Sequence, residues 1–191
     1  MRTLGVRRPL VGGAGRPDGH PERHPCVLRP RRRAGAVRPG CAPLPLTVGP
    51  GPCDGWELTL PAATRVLSDP DRKLPTGREP VAGTDVDFRT ARPIGDLAVD
   101  HAFTDLTRDG SGHTTVELRD PATGHAVGLW VDGAHPWLMV FTADDDTPAA
   151  RRAVAVEPMT AQADAFRSGE DLVWLAPGET FSASWGIRAL S

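Results

Sequence analysis

"HTTVELRDPATGHAVGLWVDGAHPWLMVFTAD", residues 113–144, decides the fold class. In its first segment Thr114, Val116 and Leu118 alternate with polar residues, which puts them on one side of an extended chain. "AVGLWVD" (Ala126–Asp132) and "PWLMVFTAD" (Pro136–Asp144) follow at hairpin spacing. Between them lie "DPATGH" (Asp120–His125) and "DGAHP" (Asp132–Pro136), built from residues that take turn conformations. A period of two with frequent turns predicts antiparallel strands.

The pattern extends outward. "GWELTLPA" (Gly55–Ala62) alternates Trp56, Leu58 and Leu60 with polar residues. "RAVAVEP" (Arg152–Pro158), "DLVWLAP" (Asp171–Pro177) and "ETFSASWGIRAL" (Glu179–Leu190) follow the same rule. Twenty Pro and 21 Gly argue against long helices. The expectation is an all-β, antiparallel β-sandwich over residues 46–191. "DDDTPAARRA" (Asp144–Ala153) predicts a short helical turn, and no repeat is present. No apolar run approaches the ~20 residues of a membrane helix, so no membrane partner is expected. Cys26, Cys41 and Cys53 are odd in number and lack metal-like spacing, which predicts no disulfide, no bound metal and a cytoplasmic setting.

Charge divides the chain near residue 45. Residues 1–45 hold ten Arg and two acids, a net of +8; the whole chain carries −2, so residues 46–191 carry −10. The first segment is rich in Arg, Pro and Gly, with isolated apolar residues and no periodicity, which predicts a low-complexity, disordered segment. It has no aromatic residue to stack on bases, so no nucleic-acid partner is expected. "GVRRPL" is not followed by the apolar region of a twin-arginine signal.

The genetic code suggests where that composition comes from. GC-rich DNA read in a wrong frame yields Arg, Pro, Gly and Ala. Joining the last two bases of each codon to the first of the next lets Ala36–Pro45 encode P-Y-G-P-G-A-H-P-Y-L. The same shift lets Arg16–His24 encode G-L-T-V-T-Q-N-A-T, an amphipathic strand. Residues 1–45 therefore read as a frame-shifted translation, with the frame restored near Pro45.

Candidate chemistry lies in the body. In "VAVEPMTAQADAF" (Val154–Phe166) an apolar strand runs into Glu157, and Pro158 is expected to end it. A carboxylate at a strand end beside Val156 and Met159 is a candidate general base, its pKa raised by apolar neighbours. The alternative is a surface Glu at a strand terminus. In "DLAVDHAFTDL" (Asp96–Leu106), Asp100 and His101 could bind a hydroxylated ligand; the alternative is a solvated turn. His113, His125 and His135 lie on or beside turns without metal-binding spacing. No phosphate loop, dinucleotide fingerprint or nucleophile elbow is present, so no cofactor is expected. Trp56, Trp130, Trp137, Trp174 and Trp185 are expected in the core, although a rim Trp could stack on a pyranose.

Taken in order, these elements resemble the aldose 1-epimerase (galactose mutarotase-like) family, bacterial branch. "VAVEPMTAQADAF" with "SGEDLVWLAPGETFSASWGIR" is similar to the family's C-terminal end, usually close to "AVEPMTCPPNAF", "L.PGE" and "WGI". "VDHAFTDL" resembles its Asp-His-x-Phe element, "PWLMVFTAD" its penultimate core strand and "LPTGREPVAGTDVDFR" (Leu74–Arg89) its "P-x-G…DFR" segment.

The resemblance implies part of a β-supersandwich and cofactor-free interconversion of the α and β anomers of a free aldose. It implies that Glu157 takes the proton of the C1 hydroxyl and that Asp100 binds sugar hydroxyls, with His101 beside it. In the family a His protonates the ring oxygen, within a "HPY" element before "LTVG"; here the aligned residue is Pro43, and the shifted frame restores "GAHPYLTVG". The family's N-terminal half, with further sugar-binding Arg and His, has no counterpart in the chain. Two functions follow: an epimerase inactive for want of that His, or a non-catalytic carbohydrate-binding or structural β-sandwich fragment. The sequence leaves the preferred sugar and the oligomeric state open.

Overall fold

Alternating apolar side chains sort the strands into two antiparallel sheets packed face to face. The computed structural model describes residues 44–144, 148 and 150–190, with the backbone of 24–28 and 35–37. The strands are β1 (His24–Leu28), β2 (Gly35–Val37), β3 (Leu44–Leu46), β4 (Glu57–Thr59), β5 (Ala62–Ser68), β6 (Pro75–Pro80) and β7 (Arg92–Pro93). They continue as β8 (Asp100–Leu106), β9 (Thr114–Arg119), β10 (Ala126–Val131), β11 (Trp137–Phe141), β12 (Val154–Met159), β13 (Val173–Leu175) and β14 (Phe181–Leu190). One sheet runs β1-β14-β10-β9-β4-β7, the other β3-β12-β11-β8-β5-β6, and β13 pairs with β2 alone. Helix among the described residues is limited to a single α-helical turn, α1 (Ala165–Ser168), and a 3-10 turn at Cys53–Gly55.

The core lies between the six-stranded sheets. Leu58, Val116, Leu118, Leu129 and Val131 from one meet Phe103, Leu138, Val140, Val154 and Val156 from the other, all fully buried. Each such side chain contributes roughly 1.5–3 kcal/mol of hydrophobic stabilisation. The expected sandwich is therefore present.

Several expectations shift in detail. β8 is a full strand between β11 and β5, where a turn was the alternative. Its Phe103 faces the core, and that burial overrides the polar look of Asp100, His101, Thr104 and Asp105. β12 does not stop at Pro158 but runs on to Met159, with Pro158 opposite Leu138. Proline fits a strand where its missing N–H is not needed by the ladder; the described pairing of β12 with β3 ends at Val156↔Leu44. Within the segment expected to be disordered, β1, β2 and the start of β3 are extended and pair with β14, β13 and β12. Backbone pairing of this kind does not require an alternating apolar pattern. The rest of that segment, Pro43 included, lies outside the described residues, as do parts of the expected helical turn after Asp144. Trp56, Trp130 and Trp137 are buried, whereas Trp174 is 68% exposed. Among the described residues no helix is long and apolar enough to cross a membrane.

Two connections set the rim of the second sheet. In the β5–β6 turn, Asp69 Oδ1 accepts from the backbone N–H groups of Asp71 and Arg72, and Lys73 takes a positive φ of 54°. In the β11–β12 connection, the Arg151 guanidinium binds Asp54, Asp144 and the carbonyls of Gly95 and Leu97.

Candidate functional site

Strand register decides which candidate residues meet. Glu157 on β12 lies opposite Met139 on β11, and Met139 lies opposite Ala102 on β8. One step along, Ala155 and Asp100 both lie opposite Phe141. Side chains alternate across a strand, so Glu157, Met139, Phe141, Ala102 and Asp100 share one face. That face is turned away from the inter-sheet core. Two strand spacings of ~4.8 Å and two residues of ~3.4 Å separate Glu157 from Asp100 by roughly 12 Å between Cα atoms.

The floor between them is apolar. Val66, Trp137 and Met159 are buried there, with Ala102 and Met139 packed against them. Val156, expected beside Glu157, faces the core instead; Met159 is the neighbour on the same face. At the rim, Lys73 Nζ lies 3.0 Å from Asp100 Oδ2. On the far side, Arg78 of β6 lies opposite Val66, and its guanidinium carbon sits 4.7 Å from the centre of the Trp137 ring. Arg78 pairs with Glu170, which also accepts from Gln162 Nε2. Trp137 Nε1 donates to Asp171 Oδ2 at 2.7 Å. These contacts tie the segment after β12 back over the floor.

His101 does not join the site. It stands one residue from Asp100, and therefore on the opposite face. Its ring makes an edge contact with Phe103, their centroids 6.3 Å apart, and its Nε2 lies 3.5 Å from Arg65 Nη1. Burial, and then the Arg65 guanidinium, hold it below its ordinary pKa of 6.5. Its Nδ1 is buried and has no hydrogen-bond partner among the described residues. Strand parity is the signal that separates it from Asp100, and it becomes usable once Phe103 is assigned to the core.

Sequence reasoning passed over Lys73, Arg78, Glu170 and Gln162. Arg78 lies in the "P-x-G…DFR" segment (Leu74–Arg89), and nothing local marks it as facing Trp137. Two open depressions, of about 530 and 510 Å³, lie elsewhere, one beside Gly49, His125 and Leu190 and one at residues Asp87–Arg92. Among the described residues no three His, Cys, Asp or Glu side chains converge to hold a metal ion.

Comparison with known proteins places the chain. The aldose 1-epimerase family profile matches residues 48–188. The uncharacterized protein YihR of Escherichia coli K12 is 28% identical over 126 residues, which cover 66% of this chain and 38% of that protein. The crystal structure of galactose 1-epimerase from Lactobacillus acidophilus superimposes with a TM-score of 0.67 at 18% identity, over 91% of this chain and 54% of the other. The GalM/aldose epimerase homologue of Caenorhabditis elegans superimposes with a TM-score of 0.65 at 16% identity, over 99% and 69%. The chain thus spans little more than a third of the E. coli relative and about half of the L. acidophilus enzyme. At such low identity the two structures establish the fold. The profile establishes the family: the chain belongs to the aldose 1-epimerase family.

Proposed function

We propose that residues 46–191 form the C-terminal part of a site that interconverts the α and β anomers of a free aldose. The observation that carries this is the shared face of Glu157 and Asp100, joined through the register of β12, β11 and β8. Glu157 takes the proton of the C1 hydroxyl while the bond between C1 and the ring oxygen breaks and the ring oxygen is protonated. The open-chain aldehyde turns about C1–C2. Closure on the other face returns the proton from Glu157 to the C1 oxygen, while the attacking hydroxyl gives its proton back to the acid that had protonated the ring oxygen. Asp100 holds sugar hydroxyls so that C1 stays at Glu157, and no cofactor enters.

The donor to the ring oxygen is the weak point. Pro43 occupies the place of the family's His, and it cannot transfer a proton. A positioned proton-transfer group supplies about 10²–10⁴-fold, so this chain should bind aldose and catalyse little. That difference favours the second function, a carbohydrate-binding fragment, for the chain as it stands. It also supports residues 1–45 as a frame-shifted translation of a catalytic gene. The buried free thiol of Cys53 fits a cytoplasmic setting.

Polarimetry with α-D-glucose and α-D-galactose tests the assignment. The Pro43→His chain should accelerate mutarotation over the spontaneous rate, and Glu157→Gln should abolish the gain. If neither chain binds aldose by NMR titration, the proposed site is wrong. Resequencing the gene should reveal an insertion or deletion near codon 45; an uninterrupted frame refutes the frame shift.

A further inference from the structure

We propose that Arg78 is a sugar-binding residue of this site, with its guanidinium donating hydrogen bonds to aldose hydroxyls on the side of the ring away from Glu157. The proposal rests on the aldose assignment above and adds a donor to it.

Glu157 and Asp100 are both carboxylates, so when ionised they only accept hydrogen bonds. A sugar hydroxyl also offers lone pairs, and an aldose held by acceptors alone leaves them unmatched. Arg78 supplies the missing donors on the same face. It lies opposite Val66 on β5. The register Arg65↔Phe103 sets Val66 beside Ala102, and both belong to the apolar floor. Arg78 and Glu157 thus stand at opposite ends of one row of the sheet.

The side chain does not point away from that row. Its guanidinium leans inward to lie 4.7 Å from the Trp137 ring centre, and Trp137 stands two residues before Met139, the cross-strand neighbour of Glu157. Two restraints fix it there. The Trp137 face holds the guanidinium plane by a cation–π contact, and Glu170 takes Nη2. Gln162, itself buried, holds the second oxygen of Glu170. Nε and Nη1 of Arg78 have no protein acceptor among the described residues, and the side chain keeps 39% of its surface exposed. A planar donor group, stacked, oriented from behind and open in front, is suited to a pair of neighbouring hydroxyls.

The charges around it define the ligand. Arg78 is paired with Glu170 and Lys73 with Asp100, so both of these cations are already matched. An uncharged aldose suits this face better than an aldose phosphate.

Titration of the full chain with D-galactose, D-glucose and glucose 6-phosphate, read by NMR line positions of the sugar and the protein, tests this. Arg78→Met keeps the bulk over Trp137 and removes the donors; it should weaken aldose binding roughly tenfold or more, as expected for hydrogen bonds to a charged group. Arg78→Lys should recover part of the loss. Near-UV circular dichroism of the variants should match the wild type, separating lost donors from a displaced Trp137. Unchanged aldose affinity in a folded Arg78→Met chain overturns the proposal while leaving the aldose site standing. Tighter binding of the phosphate than of glucose overturns the assignment to an uncharged ligand. A wild-type chain that binds no aldose overturns the site and Arg78 with it.

Discussion

The two faces of the β3-β12-β11-β8-β5-β6 sheet differ in kind. On the inner face Val154, Val156, Leu138, Val140 and Phe103 meet the other sheet and are fully buried. On the outer face an apolar floor of Val66, Trp137 and Met159 is ringed by Glu157, Asp100, Lys73 and Arg78. The same strands supply both, with successive residues going to opposite sides. Stability and chemistry are thereby interleaved at single-residue resolution, and substitutions one position apart should report on different properties.

The largest effect belongs to the inner face. Phe103→Ala should cost about 3–5 kcal/mol of stability, because the other sheet cannot collapse into the space left behind. In a domain of this size that lowers Tm by roughly 10 °C, read by thermal or urea unfolding. A loss below ~1 kcal/mol would mean that the two faces are not so sharply divided.

Next comes the outer face. In a Pro43→His chain, Glu157→Gln should lower catalysed mutarotation at least ~10²-fold, with unfolding midpoint and aldose affinity little changed. A parallel loss of stability would recast Glu157 as a structural residue.

Much of this division was legible in the chain. Val154, Val156, Val116 and Leu118 announce their strands by alternation, and the family motifs mark Glu157 and Asp100. Three things were not legible. β8 looked like a turn because only Phe103 and Leu106 are large and apolar, and neither reveals that β11 and β5 flank it. His101 looked like a partner of Asp100, since adjacency in sequence hides opposition across a strand. Arg78 and Glu170 are 92 residues apart, and no local pattern can join them.

The neighbours Asp100 and His101 sharpen the contrast. Asp100→Asn should weaken aldose binding roughly tenfold and leave stability nearly unchanged. His101→Gln should leave binding alone and alter the dependence of stability on pH. The folded-state pKa of His101 lies below 6.5, held there by burial and Arg65 against the opposing pull of Asp100 and Asp85, with Lys73 lowering it further. Between the folded and unfolded pKa values the unfolded chain binds more protons, so this residue makes stability fall as pH drops below about 6.5. Urea midpoints from pH 7.5 to 5 should therefore decline less steeply in His101→Gln. An unchanged slope would place His101 outside the buried set.

The smallest effect should come from Lys73. Its ammonium meets Asp100 at 3.0 Å, with both side chains well exposed to solvent. Such pairs contribute about 0–1 kcal/mol and are screened by salt, so Lys73→Met should barely shift unfolding. Its influence on the ligand is less trivial. Lys73 competes with sugar hydroxyls for the Asp100 carboxylate, yet it also holds that carboxylate on the rim. If competition dominates, Lys73→Met tightens aldose binding a few-fold, and raising salt does the same for the wild type by weakening the pair. We expect that outcome, because the ammonium sits on a turn held by Asp69 and can leave without disturbing β8. Weaker binding in both experiments would instead make Lys73 part of the frame that positions Asp100, extending the outer-face site to the tip of the β5–β6 hairpin.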